Sequence, residues 1–339
     1  MQRIAAIKNK IVTRSSAKRF FDLIADEMKL VEAEFASQAC SNIQVIDYLG
    51  KYLRDSGGKR LRPALLILAN RSCGGRGGDE SVIRLATVME MLHTATLVHD
   101  DIIDNAEFRR GRASVNAEFG NQTAVLMGDW LYMSAFENSL QERSLPILDI
   151  LTRLTRKMTE GELIQLTKIG DLNISRASYF DILRRKTAYL ISGCCEIGAL
   201  LAKASEDIRL AMRGYGMALG IAFQLADDLL DVTSDQNTLG KAAGADLLEG
   251  KLTLPLIILT ESEPSIVGLF DRIVKAKEYL PSNLDEIERA IKKHDVVEKV
   301  RHTANEFALE SRNYLDVLPE SEYRVALEEL PKFVLNRKN

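Results

Sequence analysis

Cysteine is scarce in this chain and badly spaced for structure. The four cysteines, at 40, 73, 194 and 195, form no CxxC pair, and the adjacent two are a poor disulfide. A disulfide framework is excluded, and reduced thiols in a cytoplasmic protein are expected. Only seven prolines interrupt the 339 residues, and strand-like alternation is rare, so long helices are free to form. Positive charge is not in excess: the formal net charge of -3 argues against a nucleic-acid binder relying on overall basicity. Any anion site must be built locally from clustered Lys and Arg. Long unbroken apolar runs are also missing. The stretch 188–202 is interrupted by Glu196, and 217–230 ends in acidic residues, so neither reads as a membrane span or lipid anchor. Residues 1–16 carry scattered Lys and Arg but no apolar core followed by a small-residue cleavage site, which argues against a secretory signal.

What is present is a hydrophobic content of 46%, ample for a substantial core. Apolar residues recur at i, i+3, i+4 and i+7, which predicts an all-α fold. Helices are expected over 17–37, 43–54, 61–71, 80–104, 121–142, 145–168, 175–203 and 206–233, with several more between 252 and 334. Breaks are expected at Gly57-Gly58, 74–78, Gly111, Gly170 and 239–250. None has the look of a long flexible linker, so residues 1–339 are expected to form a single domain. The glycine-rich stretch 74–78 lacks a following Lys-Ser or Lys-Thr and a preceding strand, so it reads as a helix connection and not as a phosphate loop.

Two copies of one acidic cluster organise the chain: Asp100-Asp101-Ile102-Ile103-Asp104 and Asp227-Asp228-Leu229-Leu230-Asp231. On a helix the three carboxylates of each lie at roughly 0°, 100° and 40° around the axis, and so share one face. Each follows an apolar run, so each ends a largely buried helix, where like charges repel and a C-terminal dipole opposes them. A cation must sit there. Oxygen ligands without a cysteine or imidazole cage suit a hard divalent ion, Mg2+ above all. One such cluster is weak evidence, since most acidic clusters are solvated; two with the same spacing and approach are much stronger. Metal ions held this way would bind a diphosphate and stabilise it as a leaving group.

Basic residues surround both clusters. Gly57-Gly58-Lys59-Arg60-Leu61-Arg62-Pro63 sets three cations beside two glycines, which is either a solvated helix start or a place where backbone approaches an anion. Arg109-Arg110 follows Asp104 closely, and Lys186-Thr187, Lys241 and Lys251 add further positive charge. Together they supply two anion sites, one of metals with Lys and Arg and one of Lys and Arg alone, which suits two phosphorylated substrates. His93 reads either as a core histidine or as a phosphate ligand. Without a third imidazole beside His93 and His99, a zinc site is rejected. Gln224 and Thr187 are either core polar groups or oxygens facing developing positive charge.

These residues carry a resemblance. The segments GGKRLRP at 57–63, LVHDDIIDNAEFRRG at 97–111, KT at 186–187, FQLADDLLD at 223–231 and GKAAGADLLEGKLTLP at 240–255 resemble the trans-type (E) isoprenyl diphosphate synthases, the polyprenyl synthetase family, over nearly the whole chain. The resemblance implies an all-α bundle of long antiparallel helices around a central active-site cavity, a homodimer, and three Mg2+ ions between the aspartate-rich motifs. Asp100, Asp104 and Asp227 resemble the principal Mg2+ ligands, with Asp101, Asp228 and Asp231 as neighbouring or water-mediated ones. Arg109, Lys186, Lys241 and Lys251 resemble residues that hold the allylic diphosphate; Lys59, Arg62, His93 and Arg110 resemble the metal-free pocket for isopentenyl diphosphate. Thr187 and Gln224 match positions whose oxygens stabilise the allylic cation. No side-chain nucleophile is needed, in keeping with the lack of a defensible Ser-His-Asp or Cys-His arrangement.

Product length in this family depends on what blocks the cavity below the first motif. Ala95 and Thr96 stand where short-chain members resembling farnesyl or geranylgeranyl synthases carry a bulky aromatic, and both are small. A growing chain is expected to pass them toward Met91, Leu92 and a floor including Leu151. The expectation is a long-chain product of about six to ten isoprene units, primed by farnesyl or geranylgeranyl diphosphate, destined for quinone side chains and bringing the enzyme transiently to a membrane. A terpene cyclase lacks a second DDxxD, and non-catalytic partner subunits generally lack the acidic motifs, so both rivals are disfavoured.

Overall fold

The helices expected from periodicity recur, most within a residue or two, in a computed structural model that describes residues 20–55, 57–233 and 244–335. In chain order they are α1 (Ala25–Gln38), α2 (Gln44–Asp55), α3 (Leu61–Ser72), α4 (Glu80–Ile103), α5 (Val115–Phe119), α6 (Asn121–Leu140) and α7 (Leu145–Lys168). There follow α8 (Arg176–Leu183), a π-helical turn (Arg184–Ala188), α9 (Tyr189–Leu201), α10 (Glu206–Thr233), α11 (Ala245–Leu248), α12 (Leu254–Ser262), α13 (Val267–Ala276), α14 (Pro281–Lys293), α15 (Val296–Asn313) and α16 (Glu322–Leu335). Among the described residues the only strands are β1 (Phe108–Arg109) and β2 (Arg112–Ala113), which pair antiparallel as a hairpin that periodicity did not reveal. Two-residue strands carry no periodic signal, and only the Arg-Gly turn between them marks the place.

The described residues cluster into two compact units. The first comprises the described residues up to Thr155 together with Leu190–Gly216 and Tyr314–Glu329. Its central element is α4, which passes for a membrane span by length and composition yet has 72% of its apolar window buried inside the protein. It packs along α6 and against α3 and α1. The run Pro63–Asn70 of α3 is buried on every side, as expected of a helix apolar all round. A Cβ on Gly198 of α9 would lie 2.5 Å from the Leu66 carbonyl oxygen, so α9 can approach α3 this closely only with glycine there. The glycine-rich stretch 74–78 closes around α3: Asn70 Oδ1 accepts from the Gly77 N–H at 2.9 Å, and Asn70 Nδ2 donates to the Gly198 carbonyl at 3.2 Å.

The second unit comprises Arg156–Tyr189, Met217–Asn313 and the described residues from Leu330 onward. Its core joins Leu183, Ile221, Leu225, Phe270 and Val300 with the buried apolar run Leu254–Leu259 of α12. That helix starts sharply because Pro255 occupies its first turn, where its missing N–H costs nothing.

Candidate active site

Both acidic clusters end their helices. Asp104 caps the C-terminus of α4, α10 runs through Asp231 to Thr233, and neither helix has a basic residue in its last turn. The carboxylates therefore meet the negative end of the dipole uncompensated by their own helix. The expected single acidic face divides in the first cluster. Asp100 and Asp104, about 40° apart, are half-buried, whereas Asp101, about 100° from Asp100, is 3% exposed and turned toward the hairpin. There Arg109 Nε donates to Asp101 Oδ1 at 2.6 Å.

The hairpin explains how Arg109 and Arg110 are aimed. Its two turn residues, Arg110 (φ 52°) and Gly111 (φ 77°), both lie in the left-handed region that a type I′ turn requires. Arg110 is in this position at a cost of about 1 kcal/mol, since its Cβ crowds the backbone there. In return its guanidinium reaches the Gly57 carbonyl, and a Cβ on Gly58 would lie 2.8 Å from Arg110 Nη1. The two glycines of the 57–63 segment thus admit an arginine. Tyr52 fastens the hairpin from outside, its hydroxyl donating to the Ala113 carbonyl at 2.8 Å and its ring lying 4.6 Å below the Arg112 guanidinium.

Gly57, Arg60, Glu90, Asp101, Arg109 and Arg110 line a cleft with roughly 520 Å³ of open space in the first unit. Arg60, which the sequence groups with Lys59 and Arg62, is committed elsewhere. Its Nε donates to Glu32 at 2.6 Å and its Nη1 to the buried Glu90 at 2.9 Å. His93 is half-buried, and burial followed by Arg62, Arg110, Arg109 and Arg60 holds its pKa well below the usual imidazole value. A neutral imidazole among four arginines is an environment prepared for an anion. Lys59 is exposed and Arg62 half-buried at the same segment.

In the second unit the middle aspartate is again the buried one: Asp228 is 3% exposed. Burial raises its pKa to about 7, against the lowering effect of hydrogen bonds from Tyr179 and Gln224. Gln224 Nε2 donates to Asp228 Oδ1 at 2.9 Å, and Thr187 Oγ1 lies 2.9 Å from Gln224 Oε1 as its donor. Lys186 and Thr187 stand in the π turn, a wide helical turn of a kind frequent at functional sites. Its backbone is flanked by two glycines. A Cβ on Gly161 of α7 would meet the Lys186 nitrogen at 3.0 Å, and one on Gly220 of α10 would meet Ala188 Cα at 2.6 Å. Lys186 Nζ is held by Glu162 at 2.6 Å and Gln165 at 2.8 Å. Lys251 Nζ pairs with Glu249 at 2.6 Å. Lys241 lies outside the described residues.

Two residues escaped the sequence reading. Asp246 has its pKa raised well above the usual carboxylate value by burial, then by Asp231 and Asp228, so it is a fourth carboxylate beside the second cluster. It stands inside the 240–255 motif, where its conversion from a helix acid to a site neighbour has no signal in spacing. Tyr179, whose hydroxyl donates to Asp228 Oδ2, belongs to no motif at all.

Among the described residues no three His, Cys, Asp or Glu side chains converge as a ready-made metal cage. The donors nevertheless fit Mg2+, which keeps several waters and is bound through one or two carboxylates plus substrate phosphate oxygens, not by an all-protein cage. Asp100, Asp104, Asp227 and Asp231 are all oxygen donors and all half-buried, with no thiolate competing.

Comparison with known proteins identifies the family. The sequence profile of the polyprenyl synthetase family matches residues 43–293. The octaprenyl diphosphate synthase of Haemophilus influenzae is 37% identical across 92% of this chain and 94% of its own. A crystal structure of a polyprenyl synthase from Caulobacter crescentus, complexed with calcium and isoprenyl diphosphate, superposes with a TM-score of 0.89 at 35% identity, covering 95% of this chain and 98% of that one. A decaprenyl diphosphate synthase structure from Rhodobacter capsulatus gives a TM-score of 0.88 at 32% identity over 95% and 99% of the two chains. With a family profile spanning most of its length and relatives matched from end to end, this chain belongs to the polyprenyl synthetase family.

Proposed function

We propose that the chain is a trans-polyprenyl diphosphate synthase that adds isopentenyl diphosphate to farnesyl or geranylgeranyl diphosphate, head to tail, and repeats the addition to about C30–C50. The observation that supports this reading is that carboxylates with lysines and a separate group of arginines are built as two chemically unlike sets. Half-buried carboxylates end α4 in the first unit and α10, with Lys186 and Lys251, in the second, while the first unit also carries an arginine-lined cleft and a His93 whose pKa is depressed by burial and the surrounding arginines. Long-chain relatives on both comparisons support the product class.

Mg2+ supplies electrophilic pull on the leaving diphosphate. Asp100 and Asp104 of the first unit and Asp227 and Asp231 of the second would hold the ions, Asp101 and Asp228 being the buried members of their clusters. Arg109, Lys186, Lys241 and Lys251 neutralise the departing diphosphate as the allylic C–O bond breaks. The oxygens of Thr187 and Gln224 face the resulting cation. Lys59, Arg62, His93 and Arg110 hold isopentenyl diphosphate so that its double bond reaches C1 of the cation. A proton then leaves C2 of the former isopentenyl unit to the released diphosphate, which restores an allylic product one unit longer. The small side chain of the fully buried Ala95 lets that product grow toward Met91, Leu92 and Leu151.

Residues 1–339 act as one synthase domain in this reading, since each compact unit is assembled from three separate chain segments. The active form is a homodimer. Along α6, Leu126, Met133 and Leu140 stand at seven-residue spacing with exposures of 68%, 64% and 47%, an apolar stripe that a second copy would cover. Free thiols at all four cysteines support a cytoplasmic site of action. The product suits quinone side chains.

The test is incubation of the purified chain with Mg2+, labelled isopentenyl diphosphate and each primer, followed by mass analysis of the dephosphorylated products. A ladder ending at about six or more units is expected. Absence of condensation with any primer overturns the reading, and a stop at three or four units corrects the product length alone.

A further inference from the structure

Asp228 has no solvent to turn to, and both of its oxygens are occupied from within the second unit. Oδ2 accepts from the hydroxyl of the buried Tyr179, and Oδ1 accepts from Gln224 Nε2 at 2.9 Å. A glutamine amide has one donor end and one acceptor end, so it can sit in two orientations. With Nε2 committed to Asp228, Oε1 is the end that remains on the Thr187 side, where that hydroxyl lies 2.9 Å away. Tyr179 thus stands at the far end of a relay that runs through Asp228 and Gln224 to Thr187.

The helix phase agrees. Tyr179 and Thr187 are eight residues apart, which on an uninterrupted α-helix would set them about 80° out of phase. The π turn accommodates one extra residue, about one 100° step, and so brings both side chains onto the face that meets α10, where Tyr179 reaches Asp228 and Thr187 reaches Gln224. Burial, then Asp228, holds the Tyr179 hydroxyl far above its usual pKa, so it remains a donor at any working pH.

We propose that Tyr179 is a positioning residue for the condensation: acting through Asp228, it fixes the Gln224 amide with its oxygen toward Thr187 and the allylic carbons. This rests on the reading that Thr187 and Gln224 face the allylic cation. On that reading Asp228 is an orienting group, distinct in role from the half-buried aspartates that hold metal.

The experiment is a double-mutant cycle on the full chain with Tyr179→Phe and Gln224→Met, measuring kcat, the KM of isopentenyl diphosphate and the Mg2+ concentration giving half-maximal rate. Tyr179→Phe should lower kcat about tenfold while the other two quantities stay within about twofold. The double variant should be no slower than Gln224→Met alone, because the tyrosine acts through the glutamine. Tyr215→Phe is the control, since Tyr215 is equally buried and its hydroxyl donates to the Leu327 carbonyl at 2.8 Å in the first unit. It should lose thermal stability and keep kcat. If Tyr179→Phe does not fold, Asp228→Asn carries the test: kcat should fall at saturating Mg2+ with an unchanged Mg2+ requirement. Multiplicative effects in the cycle, an unchanged kcat in Tyr179→Phe, an equal loss in Tyr215→Phe, or an altered Mg2+ requirement with normal kcat would overturn the proposal. Lack of condensation by the wild-type chain in the same assay would instead overturn the reading on which it rests.

Discussion

Arg109 reaches one oxygen of Asp101 with two of its guanidinium nitrogens, Nε and Nη2, each at 2.6 Å. The second aspartate of the first motif is therefore part of the scaffold that ties α4 to the hairpin. Arg109→Gln would strand a buried carboxylate that has lost its charged donors. Equilibrium unfolding in urea should show a loss of about 1–3 kcal/mol, and the KM of the allylic substrate should rise. Arg109→Lys should recover part of the stability, because a single ammonium restores charge without the fork.

His93 gives the pH dependence a sign. Its folded pKa is depressed, whereas the unfolded value is about 6.5. As pH falls through about 6.5 the unfolded chain takes up the proton first, so the contribution of His93 to stability is present above that pH and is lost below it. Unfolding of the wild-type chain measured between pH 7.5 and 5.5 should show this loss, and His93→Gln should flatten it. Adding inorganic pyrophosphate should raise the His93 pKa, observed by NMR of the imidazole, because the anion offsets the surrounding arginines.

Gly161→Ala tests the wide turn at Lys186. The added Cβ would lie 2.6 Å from Arg185 Cβ and 3.0 Å from the Lys186 nitrogen, both on the backbone or close to it, so the turn must shift. Overpacking of this kind costs about 1–3 kcal/mol. A melting temperature lower by several degrees should accompany a kcat loss of about tenfold, with the KM of isopentenyl diphosphate little changed.

Ala95→Phe should shorten the product without abolishing condensation. Ala95 is fully buried on α4, so an aromatic ring there must either occupy the path of the growing chain or strain the packing. Mass analysis of products separates the two: a shorter ladder supports the path, and unchanged length with lower stability removes it.

Leu126→Glu with Met133→Glu places two charges on the outward stripe of α6. Sedimentation should report a dimer for the wild-type chain and a monomer for the variant, whose helix content should be retained because both positions are exposed.

Long periodic elements were legible in the sequence: α4, α7 and α10 match the expected 80–104, 145–168 and 206–233 because their apolar repeats run for several turns. The six motif aspartates and the cations near them were legible because charge at the end of an apolar helix is rare. The division of labour within each motif was not. Asp100 and Asp101 are adjacent and chemically identical, and only the tertiary position of Arg109 makes one of them a scaffold group. Arg60 is similarly misleading, since Glu32 and Glu90, which claim it, are far away in the chain. Tyr179 has no local signal, as its partner Asp228 is 49 residues distant.

The wide turn at 184–188 has a consequence for how this helix can change. It behaves as a one-residue insertion that the surrounding packing retains, carried in the helix that bears Lys186 and Thr187. Deleting a single residue there would leave the two halves in their present phase, because the wide turn already absorbs that residue; relaxing the turn to regular α-helix with the residue kept would instead rotate everything upstream by about 100° relative to everything downstream. Such a relaxed helix would be orderly, yet its two halves would address different neighbours with no change of sequence at all, so the phase of this helix is set by the packing around the turn.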